Sequence, residues 1–321
     1  MSVQPAVSVL MTAYNREQYV GAAIESVLAQ TWSDFELVIV DDASRDRTLA
    51  IARAYEARDP RVRVFVNGEN LGDYGNRNRA AALARGRYLR YHDSDDLMYP
   101  HCLDTMVRAL ESEPRAGFAL SRASAWPGGP CPMLLTPRLA YEREFLGHGL
   151  FMCGPSCAMF RAETFRALGG FDDIGVASDY LFWMKACARY PVLLLHADLF
   201  WYREHPGQEL RSARAARQYA ELSGHVWRAL HGPECPLEPE ALEIARRNHA
   251  FATARQIAND LRRGEVGLAV HRLRHARLGV AEWVRYLRPP RRSRLAGTPL
   301  AATGEYLVPE SMRSPEAERV S

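Results

Sequence analysis

Short apolar runs recur through the first 120 residues, at 7–12, 36–40, 62–66, 87–92 and 117–120. Each is four to six residues long and rich in aliphatic side chains, which suits a strand and is too short for a helix. Patterns of helical period fill the gaps at 17–30, 47–58, 76–85 and 101–111. Strands alternating with helices of this length predict βαβ units and a mostly parallel sheet. The runs at 7–10 and 37–40 read as strands covered on both faces. Right-handed crossovers then place the loops after each strand on one edge, where open α/β sheets bind ligands.

The polar residues on that edge carry the chemistry. The first strand is followed by Thr12-Ala13-Tyr14-Asn15-Arg16, the second by Asp41-Asp42 and the fourth by Asp93-Ser94-Asp95-Asp96. Three carboxylates within four residues repel one another, so their crowding gains little for folding. A divalent cation shared with a phosphorylated ligand would relieve the repulsion. A solvated acidic turn is the alternative for the 93–96 segment alone, and the second acidic strand end at Asp41-Asp42 weighs against it. No Gly-rich dinucleotide fingerprint follows the first strand, and no Gly-x4-Gly-Lys-Ser/Thr phosphate loop is present.

Composition narrows the classes further. A chain of 321 residues with 47% hydrophobic content can bury a large core, and a net charge of +3 gives no argument for nucleic acid as a partner. Lys185 is the only lysine among 41 basic residues, and the arginines that make up the rest suit phosphate recognition. Six scattered cysteines, of which only Cys153 and Cys157 are close in sequence, fit reduced and mostly buried thiols. No apolar stretch reaches the roughly 20 residues of a membrane span, and no charged-then-apolar leader precedes residue 7, so a cytoplasmic protein is expected.

These segments, in this order, resemble the family 2 glycosyltransferases, inverting enzymes of the GT-A fold that use nucleotide-sugar donors. The resemblance runs from residue 7 to residue 208, about two thirds of the chain. It includes the Tyr14-Asn15-Arg16 loop, the Asp41-Asp42 segment with Ala43 where the family usually has Gly, and Arg77-Asn78. It continues through Asp93-Ser94-Asp95-Asp96, Gly169-Gly170-Phe171-Asp172 and Ser178-Asp179, and closes at Tyr202-Arg203-Glu204-His205. The implied architecture is an α/β GT-A domain over residues 1–210, Rossmann-like with helices flanking a mostly parallel sheet. A helical extension over 211–288 and a disordered tail over 289–321 follow.

The resemblance also implies roles. Thr12, Tyr14, Asn15, Arg77, Asp93 and Ser94 would contact the nucleotide or its phosphates, and Asp41 or Asp42 would accept the imide N–H of the base, usually uracil. Asp95, with His205 from the far end of the domain, would ligate Mn²⁺ or Mg²⁺. Asp96 is expected to orient the loop or cap the helix after Pro100. Asp179 would be the general base, retained behind Ser178 where the family usually has a first acid, and could also cap the helix that follows it. Trp183, one turn on, is placed on the acceptor side or in the core. The implied activity is metal-dependent transfer from a nucleotide-sugar, most simply a UDP-sugar, to a glycan or lipid-linked acceptor in bacterial surface polysaccharide or glycoconjugate assembly. The alternatives are a degenerate GT-A module that binds without catalysis, and a nucleotidyltransferase.

Two further segments carry expectations. The Pro- and Gly-rich stretch at 126–137 reads as a loop over the active-site side. Helical patterns at 211–230, 239–263 and 265–287 form the extension. In the last, Val266, Ala269, Val270, Leu273, Val280, Val284 and Leu287 share one face, flanked by arginines. Such a face either covers an apolar patch of the catalytic domain or meets the cytoplasmic face of a membrane with anionic lipid.

Overall fold

The computed structural model describes residues 4–121, 132–147, 149–195, 198–205, 208, 213–286 and 305–306. The first half alternates as the periodicity requires: β1 (Val7–Ala13), α1 (Val20–Leu28), β2 (Phe35–Asp41), α2 (Thr48–Glu56), β3 (Val62–Val66), α3 (Asp73–Leu83), β4 (Tyr88–Tyr91). A two-residue β5 (Leu97–Met98) and α4 (Cys102–Ser112) follow, then β6 (Phe118–Ser121), β7 (Met133–Leu135) and α5 (Pro137–Leu146). Next come β8 (Ala158–Arg161), α6 (Ala162–Ala167), α7 (Ser178–Arg189), β9 (Val192–Leu195) and β10 (Phe200–Trp201). The helical extension holds α8 (Ala213–His231), α9 (Pro239–Arg262), α10 (Val266–His275) and α11 (Val280–Tyr286), and β11 (Glu305–Tyr306) ends the series.

The main sheet runs β11-β7-β9-β6-β8-β4-β1-β2-β3. β1, β2, β3 and β4 pair in parallel. β8 inserts antiparallel between β4 and β6, and β7 pairs antiparallel with β9 and β11, so all strands except β7 and β8 share one direction. β1 and β2 are almost wholly buried because each face carries a separate apolar layer. One layer rests on Val20, Ile24 and Val27 of α1 together with Met106 and Leu110 of α4. The spacing 20, 24, 27 is one face of a helix. The other layer contains Phe160, Phe165, Phe182 and Trp183 and extends to Leu230 of α8 and Ala245 of α9. The helical extension thus closes the core on the side of α5 and α7.

β2 buries an acidic side chain near its start as well as Asp41 at its end. Glu36 is buried, yet it accepts from Ser8 Oγ at 2.6 Å, from Arg63 Nη1 at 2.7 Å and from the Arg85 amide at 2.7 Å. A buried carboxylate is tolerable only when so paired. The network ties β1, β2 and β3 to the start of β4.

Three expectations need correction here. The 126–137 stretch is not all loop: Met133–Leu135 is a buried strand and Pro137 opens α5, while residues 122–131 lie outside the described ones. The 265–287 helix is two helices, broken where Arg277 takes a left-handed φ of 56°. The shared apolar face does not turn inward either. Ala269 and Arg272 face the protein, while Val266, Val270, Leu273, Val280 and Val284 are exposed. Of the expected tail, residues 305–306 pair with β7, and 289–304 and 307–321 lie outside the described residues.

Candidate active site

The C-terminal ends of β1, β2 and β4 lie side by side, with Ala13 level with Asp41. Asn15 couples the first two loops: its amide donates to Ser44 Oγ at 3.0 Å and its Oδ1 accepts from the Arg45 amide at 2.8 Å. Its φ of 51° is one that Asn tolerates. Ala43 also lies in the left-handed region, at φ 62°, where Gly carries no steric penalty. Thr12 is partly buried at the end of β1, and Tyr14 is exposed at the rim.

The two neighbouring aspartates differ. Asp42 is saturated, accepting from Asn67 Nδ2 (2.6 Å) and from the amides of Leu71 (2.9 Å) and Gly72 (3.1 Å). It therefore shapes the start of α3. Asp41 accepts from the Ser44 amide through Oδ1, while its buried Oδ2 has no partner among the described residues. Such an oxygen is ready for an N–H donor.

Arg77 is not the solvated helix-face arginine that its position in α3 allows. It is buried, with Nε donating to Asp73 at 2.9 Å and Nη2 to Asp93 at 2.6 Å, while Nη1 lacks a partner among the described residues. Burial works against charge on Asp93, but Arg77 outweighs it and holds the carboxyl below its usual range. Ser156 Oγ also donates to Asp93, at 2.8 Å.

Burial alternates along 92–96: His92, Ser94 and Asp96 point inward, and Asp93 and Asp95 are partly exposed. Ser94 is enclosed just past the end of β4, as Asp41 is at the end of β2. Asp95 Oδ2 accepts from Arg16 Nε at 2.9 Å and lies 3.0 Å from His205 Nε2, 110 residues away in sequence. The link is the short ribbon in which β10 pairs with β5, Trp201 against Leu97. Beyond it, the Arg203 amide donates to Asp96 Oδ1 at 2.9 Å and Arg203 Nε donates to the Asp95 carbonyl at 2.8 Å. Burial, together with Asp93 and Asp95, raises Asp96 to about 8, and its Oδ2 is unpartnered among the described residues. A carboxylate–imidazole pair with two further carboxyls beside it is a donor set that fits a hard-to-borderline divalent ion.

Across the cleft, Asn78 brackets Phe171, donating to its carbonyl and accepting from its amide, both at 2.9 Å. This joins α3 to the segment leading into α7. Asp179 sits in the first turn of α7 rather than capping it; Ala177 is the cap residue, and Asp179 Oδ1 accepts from the Tyr180 amide at 2.6 Å. Burial is the main cause that raises Asp179 to about 7, and it feels the charges of Arg77, Asp73 and Asp93. Ser178 is buried and faces away, its hydroxyl donating to the Gly175 carbonyl at 2.6 Å and accepting from the Ile174 amide at 3.0 Å. Trp183 is a correction: it is fully buried, stacked on Phe160, with Nε1 donating to the Cys153 carbonyl at 2.8 Å. The same helical face that carries Asp179 at the rim enters the core one turn later.

Sequence reasoning quoted Arg16 and Arg203 within their motifs without giving them a role, and it missed Asn67, Asp73, Ser156 and Tyr219. Tyr219, on α8, is raised to about 12 by burial and by the charges of Asp179 and Tyr202. Only the adjacency of 14–16 and 202–205 to assigned residues could have pointed to the two arginines.

Solved structures share this architecture. S. aureus TarS 1-349 in complex with UDP-GlcNAc superposes with a TM-score of 0.62 at 20% identity, covering 88% of this chain and 79% of that one. A mannosyltransferase from Pyrobaculum calidifontis in complex with GDP-Man and Mn2+ gives 0.53 at 19% identity, covering 86% and 87%. The fold is GT-A. The profile described as Glycosyl transferase family 2 matches residues 8–169, and the chain belongs to that family. Chondroitin synthase of Escherichia coli is 34% identical over 198 residues, 56% of this chain and 26% of the synthase. The putative teichuronic acid biosynthesis glycosyltransferase TuaG of Bacillus subtilis is 42% identical over 93 residues, 29% of this chain and 37% of TuaG. The matches thus span well under half of these relatives.

Proposed function

We propose that the chain is a metal-dependent, inverting glycosyltransferase that moves a sugar from a UDP-sugar to a glycan or lipid-linked acceptor in polysaccharide assembly. The observation that carries this reading is the meeting of Asp95 and His205 beside the Arg77–Asp93 pair, with Asp179 electrostatically linked to that pair from α7. The oxygen Asp41 Oδ2 is suited to the imide N–H of the base. Arg77, buried and pre-oriented, has Nη1 left to donate to a phosphate oxygen. Asp95 and His205 would hold Mn²⁺ or Mg²⁺, which when bound supplies charge neutralisation to the departing diphosphate. Asp179 accepts the proton of the acceptor hydroxyl as the acceptor oxygen bonds to the anomeric carbon and the bond to the diphosphate breaks on the opposite face. A carboxyl near 7 is well matched to that work. Hydrolysis of a set of nucleotide-sugars, measured with and without Mn²⁺, tests the proposal. Metal-dependent turnover of a UDP-sugar is expected, and donor binding without any turnover would favour the non-catalytic module.

The exposed stripe of α10 and α11 favours an addition to this reading. Val280 and Val284 are 81% and 62% exposed, and Arg274 and Arg285 lie on the same two helices. An apolar strip with basic neighbours is suited to an anionic bilayer surface, where a lipid-linked acceptor would reside. No described helix is long and apolar enough to cross a membrane.

A further inference from the structure

Away from the cleft, α8 and α10 bring together three side chains with metal-ligand chemistry. Glu221 of α8 and His271 and His275 of α10 each offer one donor atom, all within 4.8 Å of one another. The histidines are spaced i, i+4, so both rings lie on one face of α10, with centroids 4.2 Å apart. His271 Nε2 is 3.0 Å from Glu221 Oε1. His275 Nδ1 is 2.8 Å from the carbonyl of His271. A carbonyl only accepts, so Nδ1 carries the proton and Nε2 keeps its lone pair. Donation of the second ring N–H to a carbonyl is the usual way a ligating imidazole is oriented.

Two independent features favour a cation at this place. The helix contact is unusually close: a Cβ on Gly224, one turn after Glu221, would collide with the His275 carbonyl. Glycine therefore sets the distance at which the carboxylate meets the rings. The site also lies at the C-terminal end of α10, where unpaired carbonyls favour positive charge.

We propose that Glu221, His271 and His275 form a binding site for a Zn²⁺-class divalent ion, distinct from the Asp95–His205 pair. Two imidazoles and one carboxylate suit Zn²⁺ better than Mg²⁺ or Ca²⁺, which favour oxygen donors throughout. A tetrahedral ion with bonds of about 2.0–2.1 Å draws its ligands to roughly 3.4 Å apart. These part-exposed side chains need only small rotations to reach that spacing. Solvent supplies the fourth ligand. The ion would fasten α10 to α8. Those helices line a cavity of about 510 Å³ through Tyr219, Leu222, Ser223 and Arg272, so occupancy stiffens the wall of that cavity.

Titration of the full chain with ZnCl₂ in saturating Mg²⁺, followed by calorimetry and thermal unfolding, tests the site. One Zn²⁺ per chain and a raised unfolding midpoint are expected for the wild type and for His205→Ala. His271→Ala, His275→Ala and Glu221→Gln should each weaken binding by at least the roughly 10- to 100-fold that follows from disturbing even an outer partner. Co²⁺ bound to the wild type should show the intense visible bands of a four-coordinate ion, which needs no variant. Unchanged Zn²⁺ binding in the three variants, binding abolished by His205→Ala alone, or a six-coordinate Co²⁺ spectrum would each overturn the proposal. Glu221 and His271 would then be an ordinary ion pair.

Discussion

Two carboxyls of the cleft, Asp179 and Asp96, stand well above their usual range. Burial dominates both; Asp96 is raised further by Asp93 and Asp95 and relieved by the Arg203 amide and charge, and Asp179 is relieved by the Tyr180 amide and Arg77 and raised by Asp73 and Asp93. Asp179 must be ionised to accept a proton, so kcat/KM should rise with pH through about 7 and level above it. Asp179→Asn should remove that limb and lower transfer by about 10²-fold or more while UDP binding, read by calorimetry, stays near wild type. Transfer at the wild-type rate in this variant would make Asp179 a helix-end residue only. The same raised value has a stability sign: the contribution of this group is complete below about pH 4 and is lost as pH rises through about 7. At the opposite wall, Asp95→Ala should cut Mn²⁺-dependent UDP affinity by tenfold or more, the scale for disturbed metal coordination. Asp96→Asn, which keeps an acceptor for the Arg203 amide, should cost less. Equal losses in both would place Asp96 among the ligands.

At the scale of elements, the close approach of β4 to β1 depends on Gly86. Any Cβ there would collide with the Ser8 backbone, and the Gly86 amide donates to Ser8 Oγ at 2.8 Å. Gly86→Ala should destabilise the protein by about 1–3 kcal/mol, the usual cost of overpacking, as read from urea unfolding. The helices α10 and α11 carry a different expectation. Val280→Ser with Val284→Ser should leave the unfolding midpoint nearly unchanged, because both side chains are exposed, but should reduce sedimentation with anionic liposomes. Failure of the wild type to sediment would remove the membrane contact. The alternating half of the fold was legible because its strands and helices have distinct hydrophobic periods and their loops carry unlike chemistry. The break at Arg277 was not, since a left-handed arginine has no compositional mark. Trp183 misled because one helical face can hold a rim carboxylate and a core indole one turn apart. The meeting of Asp95 with His205 came from motif order alone; the β5–β10 ribbon that accomplishes it is too short to leave a periodic signal.

For the molecule as a whole, the extension forms part of the catalytic body. Its helices complete the apolar layer over α5 and α7, with Val226 and Leu230 of α8 and Ala241 and Ala245 of α9 in the same core cluster. The ribbon of β5 and β10 also has a consequence in time. A ribosome adding about 5–20 residues per second needs on the order of 5 to 20 seconds to travel from Asp95 to His205. During that interval the nascent chain already holds Asp41, Arg77 and Asp93 but lacks the imidazole. Asp179 is translated before His205. Under the proposed assignment, the carboxylate that would accept the acceptor's proton is therefore made before the imidazole that would complete the metal site, and the synthesis order withholds the donor-side ligand until last.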